Sequence, residues 1–283
     1  MPTGIDHIVI AVTSLEDAIA DYRRAGFTVT PGGEHHGGRT HNALVPFADG
    51  AYFELIAFRD PDATDHAWAA RLQQGEGLVD YALRAGDLRA EVTALRSRGL
   101  NASDPHDGGR IRPDGQRVDW QTIRFLGASS SALPFYCVDR TERSLRVPDG
   151  EAAIHQNGVH GVANVTVVVN DLAAAAPQFA ALTGDEGTPI EADGEPIVGG
   201  SVFRVGEATI RVVQPDISPS DLRDHLERRG DSLYAVSLIA PAGGDDAIPL
   251  GLAHGARLLL PNARAWQDEQ DDEVATPTTA SIG

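Results

Sequence analysis

Lysine is absent from this chain of 283 residues, and cysteine and methionine occur once each. All 23 basic residues are arginine, against 41 Asp and Glu, which leaves a net charge of −18. A surface so acidic has no field to gather phosphates, so nucleic acid and anionic membrane are excluded as partners. The single cysteine, Cys137, excludes an internal disulfide framework and a cysteine-based zinc site. It lies in an apolar stretch with no neighbouring base and reads as a small buried hydrophobe. No apolar run approaches the roughly 20 residues of a membrane-spanning helix. The opening residues MPTGIDHIV lack the basic and apolar regions of a secretory signal, so a cytoplasmic location is expected. There is no G-x-S-x-G elbow, no Rossmann fingerprint and no phosphate loop; GGEHHGG (32–38) is not followed by GK[ST].

What the chain does have is a copy of itself. GIDHIVIAVTSLEDA (4–18) returns as GVANVTVVVNDLAAA (161–175), and AYFELIAF (51–58) returns as ATIRVVQP (208–215). Both ends keep one offset of 157 residues, His7 against Asn164 and Glu54 against Arg211, which marks a duplicated unit. The copies differ in chemistry. His7 and Glu54 can both ligate a metal, whereas Asn164 and Arg211 are not usual ligands.

Within the first unit, Ile8, Ile10 and Val12 alternate with His7, Val9 and Ala11, as in a strand. Ser14 can cap a helix over about 15–25 that ends at Gly26. Strands are predicted at about 27–31, 40–47 and 51–58, divided by turns at PGG (31–33) and ADG (48–50). The order is β-α-β-β-β. A second unit begins near residue 78, with a helix from Asp87 to Gly99 and strands near 117–126 and 132–138. The third is the repeat at 160–216, and a truncated fourth begins at 232 and returns at 256–262. The fold class predicted is α+β, made of tandem β-α-β-β-β units with curved mixed sheets in two domains. The domains are 1–145 and a second, diverged one at 160–265 with a reduced final unit. A linker at 146–159 joins them, and an acidic polar tail, 266–283, follows and is expected to be disordered.

Paired units with DHIVIAV as first strand and YFELI as last strand resemble the vicinal oxygen chelate superfamily, which includes glyoxalase I, extradiol dioxygenases and bleomycin-resistance proteins. Four segments resemble its large glyoxalase-like domain group: GGRTHNALVPF (37–47), GEGLVDYALRAGDL (75–88), ALPFYCV (132–138) and HQNGVHGVANVTVVV (155–169). The resemblance covers roughly residues 4–216. It implies strand order 1-4-3-2 in each unit and a half-open cleft between paired units. It also implies metal ligands on the first and last strands of a unit, where His7 and Glu54 fall. The partner unit would add ligands from Asp80 or Tyr81 and from Tyr136 or Cys137. The implied cofactor is a divalent metal: Zn, Ni, Mn or Fe.

Glu54 is the leading candidate for the chemistry, as ligand or catalytic base, with His7 as a second metal ligand. The competing reading of Glu54 is a structural ion pair with Arg39 or Arg84. His41 and Asn42, at the start of a strand, are expected to reach the cleft, with Asp80 and Tyr81 beside them. His35 and His36 are expected to lie in a solvated turn. Trp120, Phe135 and Tyr136 are read as an apolar wall for a small-molecule substrate or ligand. Two functions follow. One is a metal-assisted isomerase, lyase or ring-cleaving dioxygenase acting in the N-terminal cleft. The other is a metal-free protein that captures a small molecule, as bleomycin-resistance proteins do. Self-association as a homodimer is the oligomer considered.

Overall fold

A computed structural model describes residues 1–60, 66–127, 132–192, 194–241 and 247–260. The segment read as an acidic tail lies outside them. Each unit starts from an alternating strand. In β1 (Gly4–Val12) Ile8, Ile10 and Val12 point outward into the main core, while Val9 and Ala11 point inward to a smaller apolar cluster. Ser14 accepts from the backbone N–H of Asp17 and opens α1 (Leu15–Arg24), with acids in its first turn and arginines in its last to oppose the helix dipole. The unit continues through β2 (Thr30–His35), β3 (Thr40–Pro46) and β4 (Tyr52–Phe58).

After the short α2 (Ala67–Leu72), the second unit runs β5 (Gly77–Arg84), α3 (Leu88–Ser97), β6 (His106–Ile111), β7 (Arg117–Ile123) and β8 (Phe135–Asp139). Its eight strands with the first unit close into a barrel of order β1-β4-β3-β2-β6-β7-β8-β5. Both units therefore have the 1-4-3-2 order, and the cleft expected to be half-open is the interior of a closed barrel.

The chain then passes through α4 (Arg143–Arg146) to the third unit: β9 (Gly161–Val168), α5 (Leu172–Thr183), β10 (Thr188–Ile190), β11 (Ile197–Val205) and β12 (Ala208–Pro215). Helix α6 (Asp221–Arg229), β13 (Ser232–Ile239) and the two-residue β14 (Leu258–Leu259) form the reduced fourth. The second sheet has order β10-β11-β12-β9-β13-β14. The repeat holds at the level of pairing. His7 stands opposite Tyr52 and Val9 opposite Glu54, as Asn164 stands opposite Thr209 and Thr166 opposite Arg211.

Two strands depart from expectation. PGG (31–33) is not a turn but the body of β2, which runs to His35 before the chain reverses. Gly32 and Gly33 permit it, because a Cβ on either would come within 2.0 Å of Asn42 Oδ1 or of the Ile111 carbonyl. Strand β6, HDGGRI, went unpredicted, since its glycines erase the alternation that marks a strand. Segment 146–159 is fastened to the barrel. Arg146 is buried, and His155 accepts from the Thr28 N–H while its other ring nitrogen meets the Pro46 carbonyl at 2.9 Å.

Candidate active site in the barrel

Strand alternation decides what enters the barrel. From β4, Tyr52, Glu54 and Ile56 point inward, while Phe53, Leu55 and Ala57 join the outer core. The inward residues line a cavity of about 270 Å³ with His7, His35, Trp68, Trp120 and Phe135. This volume is at the small end for a ligand pocket.

Glu54 is buried and has three partners. Asn42 Nδ2 donates to its Oε1 at 2.6 Å, His35 Nε2 lies 3.3 Å from the same oxygen, and His7 Nε2 lies 3.6 Å from Oε2. Burial alone would raise the Glu54 carboxyl, but the hydrogen bond and charge of His35, the charge of His7 and the Asn42 hydrogen bond hold it at about 2. The alternative of an ion pair with Arg84 does not hold: that guanidinium reaches the Asp49 carbonyl, and its charged neighbours are Arg143, Asp6, Asp49 and Arg146.

His7 is fixed from behind. Its Nδ1 lies 2.7 Å from Asp6 Oδ1, and its ring stacks on Tyr52 at 4.8 Å. Asp6 is fully buried. Burial would raise its carboxyl, yet the Arg146 guanidinium and the hydrogen bonds from His7 and Arg146 hold it well below the carboxylate range. An ionised carboxylate only accepts, so the proton of this contact sits on His7 Nδ1. His7 Nε2 then faces a Glu54 carboxylate oxygen, and either a proton on Nε2 or a metal ion can join the two.

The donor chemistry fits a divalent ion. Imidazole with carboxylate suits Zn, Ni, Mn or Fe, and a carboxylate behind the imidazole is the usual support of a ligating histidine. Two ligands at bonds of about 2.0–2.2 Å stand roughly 3–3.5 Å apart, close to the observed 3.6 Å. A trio, Asp6, His7 and Cys137, brings its donor atoms within 4.8 Å of one another. It fits poorly. Asp6 already receives Arg143 and both terminal nitrogens of Arg146, and burial pushes the Cys137 thiol up, against thiolate formation.

Of the residues singled out in the sequence, His7, Glu54, Asn42, Trp120 and Phe135 come together in the barrel. His41 does not: it alternates with Asn42 and so points to the opposite face of β3, beside Glu34. Tyr81 and Tyr136 also face outward, in the main core, where their hydroxyls donate to the carbonyls of Ala132 and Leu182. Cys137, next to Tyr136, takes the inward position. Asp80 stays beside the mouth, accepting from Trp68 Nε1 at 2.8 Å and from Arg124 at 2.9 Å. His35, expected in a solvated turn, lines the cavity because β2 extends to it, whereas His36 lies exposed in the turn that follows, at the cavity's edge.

Sequence reading missed Asp6, Tyr52, Arg110 and Arg146. The DH pair at 6–7 was a usable signal for Asp6. Arg110 and Arg146 reach the site from a strand and a helix that sequence spacing does not connect to it.

In the second half the equivalent face is closed. Leu222 and Leu226 of α6 pack there against Val168 and Val213, and Arg211 pairs with Glu195.

The family model of the glyoxalase-like domain matches residues 5–183. No curated protein matches the chain. Among solved structures, a hypothetical protein from Staphylococcus aureus is similar, with TM-score 0.70 and 16% identity over 91% of this chain and 98% of that one. A mutant 4-hydroxymandelate synthase from Streptomyces coelicolor gives 0.58 and 16% identity over 85% and 72%. A xylose isomerase-like TIM barrel/4-hydroxyphenylpyruvate dioxygenase fusion protein gives 0.53 and 15% over 85% and 36%. At these identities the likeness is one of fold.

Proposed function

This chain belongs to the glyoxalase-like domain family of the vicinal oxygen chelate superfamily, and we propose that it is a divalent-metal-assisted enzyme acting on a small oxygenated substrate inside the barrel. The observation that carries this reading is the His7–Glu54 pair. Asp6 orients the Nδ1 edge of His7 away from the cavity, so Nε2 faces the Glu54 carboxylate at 3.6 Å, an imidazole and a carboxylate placed as two ligands of one ion would be. His7 and Glu54 would hold the ion, with His35 on the carboxylate's other oxygen. When bound, a divalent ion supplies Lewis-acid charge to neighbouring substrate oxygens and to the enolate-like charge of isomerisation, lyase or ring-cleavage chemistry.

The protein's own groups divide the remaining work. A Glu54 carboxyl held at about 2 is ionised throughout the physiological range and is a weak base, which suits a ligand better than a proton acceptor. Trp68, Trp120 and Phe135 wall the substrate space and keep water out. The Asp6–His7 contact keeps the imidazole oriented as substrate arrives.

A second reading, capture of a small molecule without metal, is favoured by the Asn42 hydrogen bond, which with His35 already satisfies Glu54 Oε1 without an ion. Metal analysis separates the two. Protein purified without chelator or affinity tag, then exposed to Zn, Ni, Mn or Fe(II) and desalted, is expected to carry stoichiometric divalent metal. Glu54→Gln should lose it, because a neutral amide replaces an ionised ligand. Wild-type protein without stoichiometric metal overturns the enzyme reading in favour of capture.

A further inference from the structure

The chain carries 41 acidic side chains against 23 arginines, yet the barrel cavity reverses that balance. Its lining includes Arg39, Arg110, Arg124 and Arg146 but one carboxylate, Glu54, which the two histidines already engage. Arg146 is matched by Asp6 and Asp139, and Arg124 by Asp80. Arg110 differs. It is 2% exposed, and its Nη2 donates to the Arg146 carbonyl at 2.7 Å. Its Nε is buried without a hydrogen-bond partner, and no carboxylate stands within ion-pair distance among the described residues. Burial disfavours the charge; Tyr52 and Glu54 offset part of this from beyond ion-pair distance, and the guanidinium groups of Arg146 and Arg112 disfavour it further. A buried cation without a directly paired carboxylate is costly to keep.

Its position indicates what would balance it. Arg110 is the direct cross-strand partner of His35 in the β2–β6 pair, so both side chains enter the barrel together beside Glu54. Trp120 on the neighbouring β7 and Phe135 on β8 supply flat apolar walls. The volume of about 270 Å³ holds roughly nine water-sized groups, enough for one small ring with a short acidic arm.

We propose that the barrel binds a small organic carboxylate with an aromatic or compact apolar body, its carboxylate seated on the Arg110 guanidinium and its body between Trp120 and Phe135. The proposal rests on reading the barrel interior as the ligand site, but not on a metal being bound there. Guanidinium is suited to this task because its planar fork can donate two parallel hydrogen bonds to one carboxylate. The carboxylate would supply the buried charge with the paired anion that it lacks.

The test uses the full chain stripped of metal with chelator, so that it reads Arg110 and not the His7–Glu54 pair. Trp68 and Trp120 line the cavity and report occupancy by fluorescence. Benzoate, phenylacetate and acetate are titrated, with benzamide as the neutral match of benzoate. Saturable binding of benzoate or phenylacetate is expected, with benzamide about ten- to a hundred-fold weaker. Arg110→Gln should weaken carboxylate binding by a similar factor and leave benzamide unchanged, and Arg110→Lys should recover part of the loss. The proposal is overturned if no carboxylate saturates the wild type, if benzamide binds as tightly as benzoate, or if Arg110→Gln binds benzoate unchanged. The benzoate–benzamide comparison in wild type decides the matter even if the Arg110 variants do not fold. Failure here with stoichiometric metal uptake would leave the metal reading standing, and the converse result would leave the carboxylate site standing.

Discussion

The residue with the widest reach is Arg146. Its guanidinium donates to both oxygens of Asp6, to both oxygens of Asp139 and to the Tyr52 hydroxyl. Through Asp6 it fixes the His7 proton, and through Tyr52 it sets the ring that stacks on His7. Buried ion pairs of this kind add little over an apolar core, but breaking one leaves an uncompensated charge. Arg146→Met is therefore expected to lower stability by about 3–5 kcal/mol, read from urea unfolding at neutral pH. A loss within measurement error would show that Arg143 alone suffices for Asp6. Asp6 and Arg146 lie 140 residues apart, so no local pattern could join them. Nor does composition help: Arg146 falls among Pro, Gly and charge, the signature of an exposed connection, although its side chain is 1% exposed. His7 and Glu54 were legible because they share one unit and differ from their own repeat copies.

Among the elements, β2 decides whether the site exists. It pairs with β6 only through Glu34 with Ile111 and His35 with Arg110, the narrowest seam of the barrel. This seam carries His35 to Glu54 and Arg110 into the cavity. The strong alternations of β1 and β4 made those strands legible. In β2 and β6 the glycines needed for close approach are also turn-formers, so local chemistry pointed to a loop where tertiary pairing makes a strand. Gly33 holds φ +139° in this seam, and a Cβ there would meet the Ile111 carbonyl at 2.0 Å. Gly33→Ala should cost about 1–3 kcal/mol through backbone strain and displaced packing. Amide hydrogen exchange should speed up in β2 and β6 while β1 and β4 stay protected. Uniform acceleration across all eight strands would instead mean that the seam does not open separately.

Across the whole molecule, one unit appears three times in 1-4-3-2 order and a fourth time in reduced form, and the halves differ in what fills their concave faces. The barrel keeps a cavity; the second sheet fills the same face with α6. The constant sequence offset made the repeat legible, but the docking of the halves left no periodic signal. Arg229 of α6 donates to the carbonyls of Leu78, Gly75 and Glu76 on the barrel side. His225, one helical turn earlier, is buried at this junction, with its Nε2 3.0 Å from Ser232 Oγ. Burial, joined by the charges of Arg229, Arg228, Arg71 and Arg257, lowers its pKa from 6.5 to about 4. The unfolded chain therefore binds the proton first as pH falls, and stability declines from about pH 6.5 toward pH 4 while staying flat above that range. The full shift corresponds to about 3 kcal/mol. His225→Asn keeps a polar side chain without the titration. It should melt with less acid sensitivity than wild type between pH 6.5 and 4 and show no change in pH slope above pH 7. Arg71 lies on the barrel side and the other three arginines on the second half, so protonation of His225 adds a fifth positive charge across their contact. Parallel wild-type and variant melting curves through this range would show that the junction tolerates that charge.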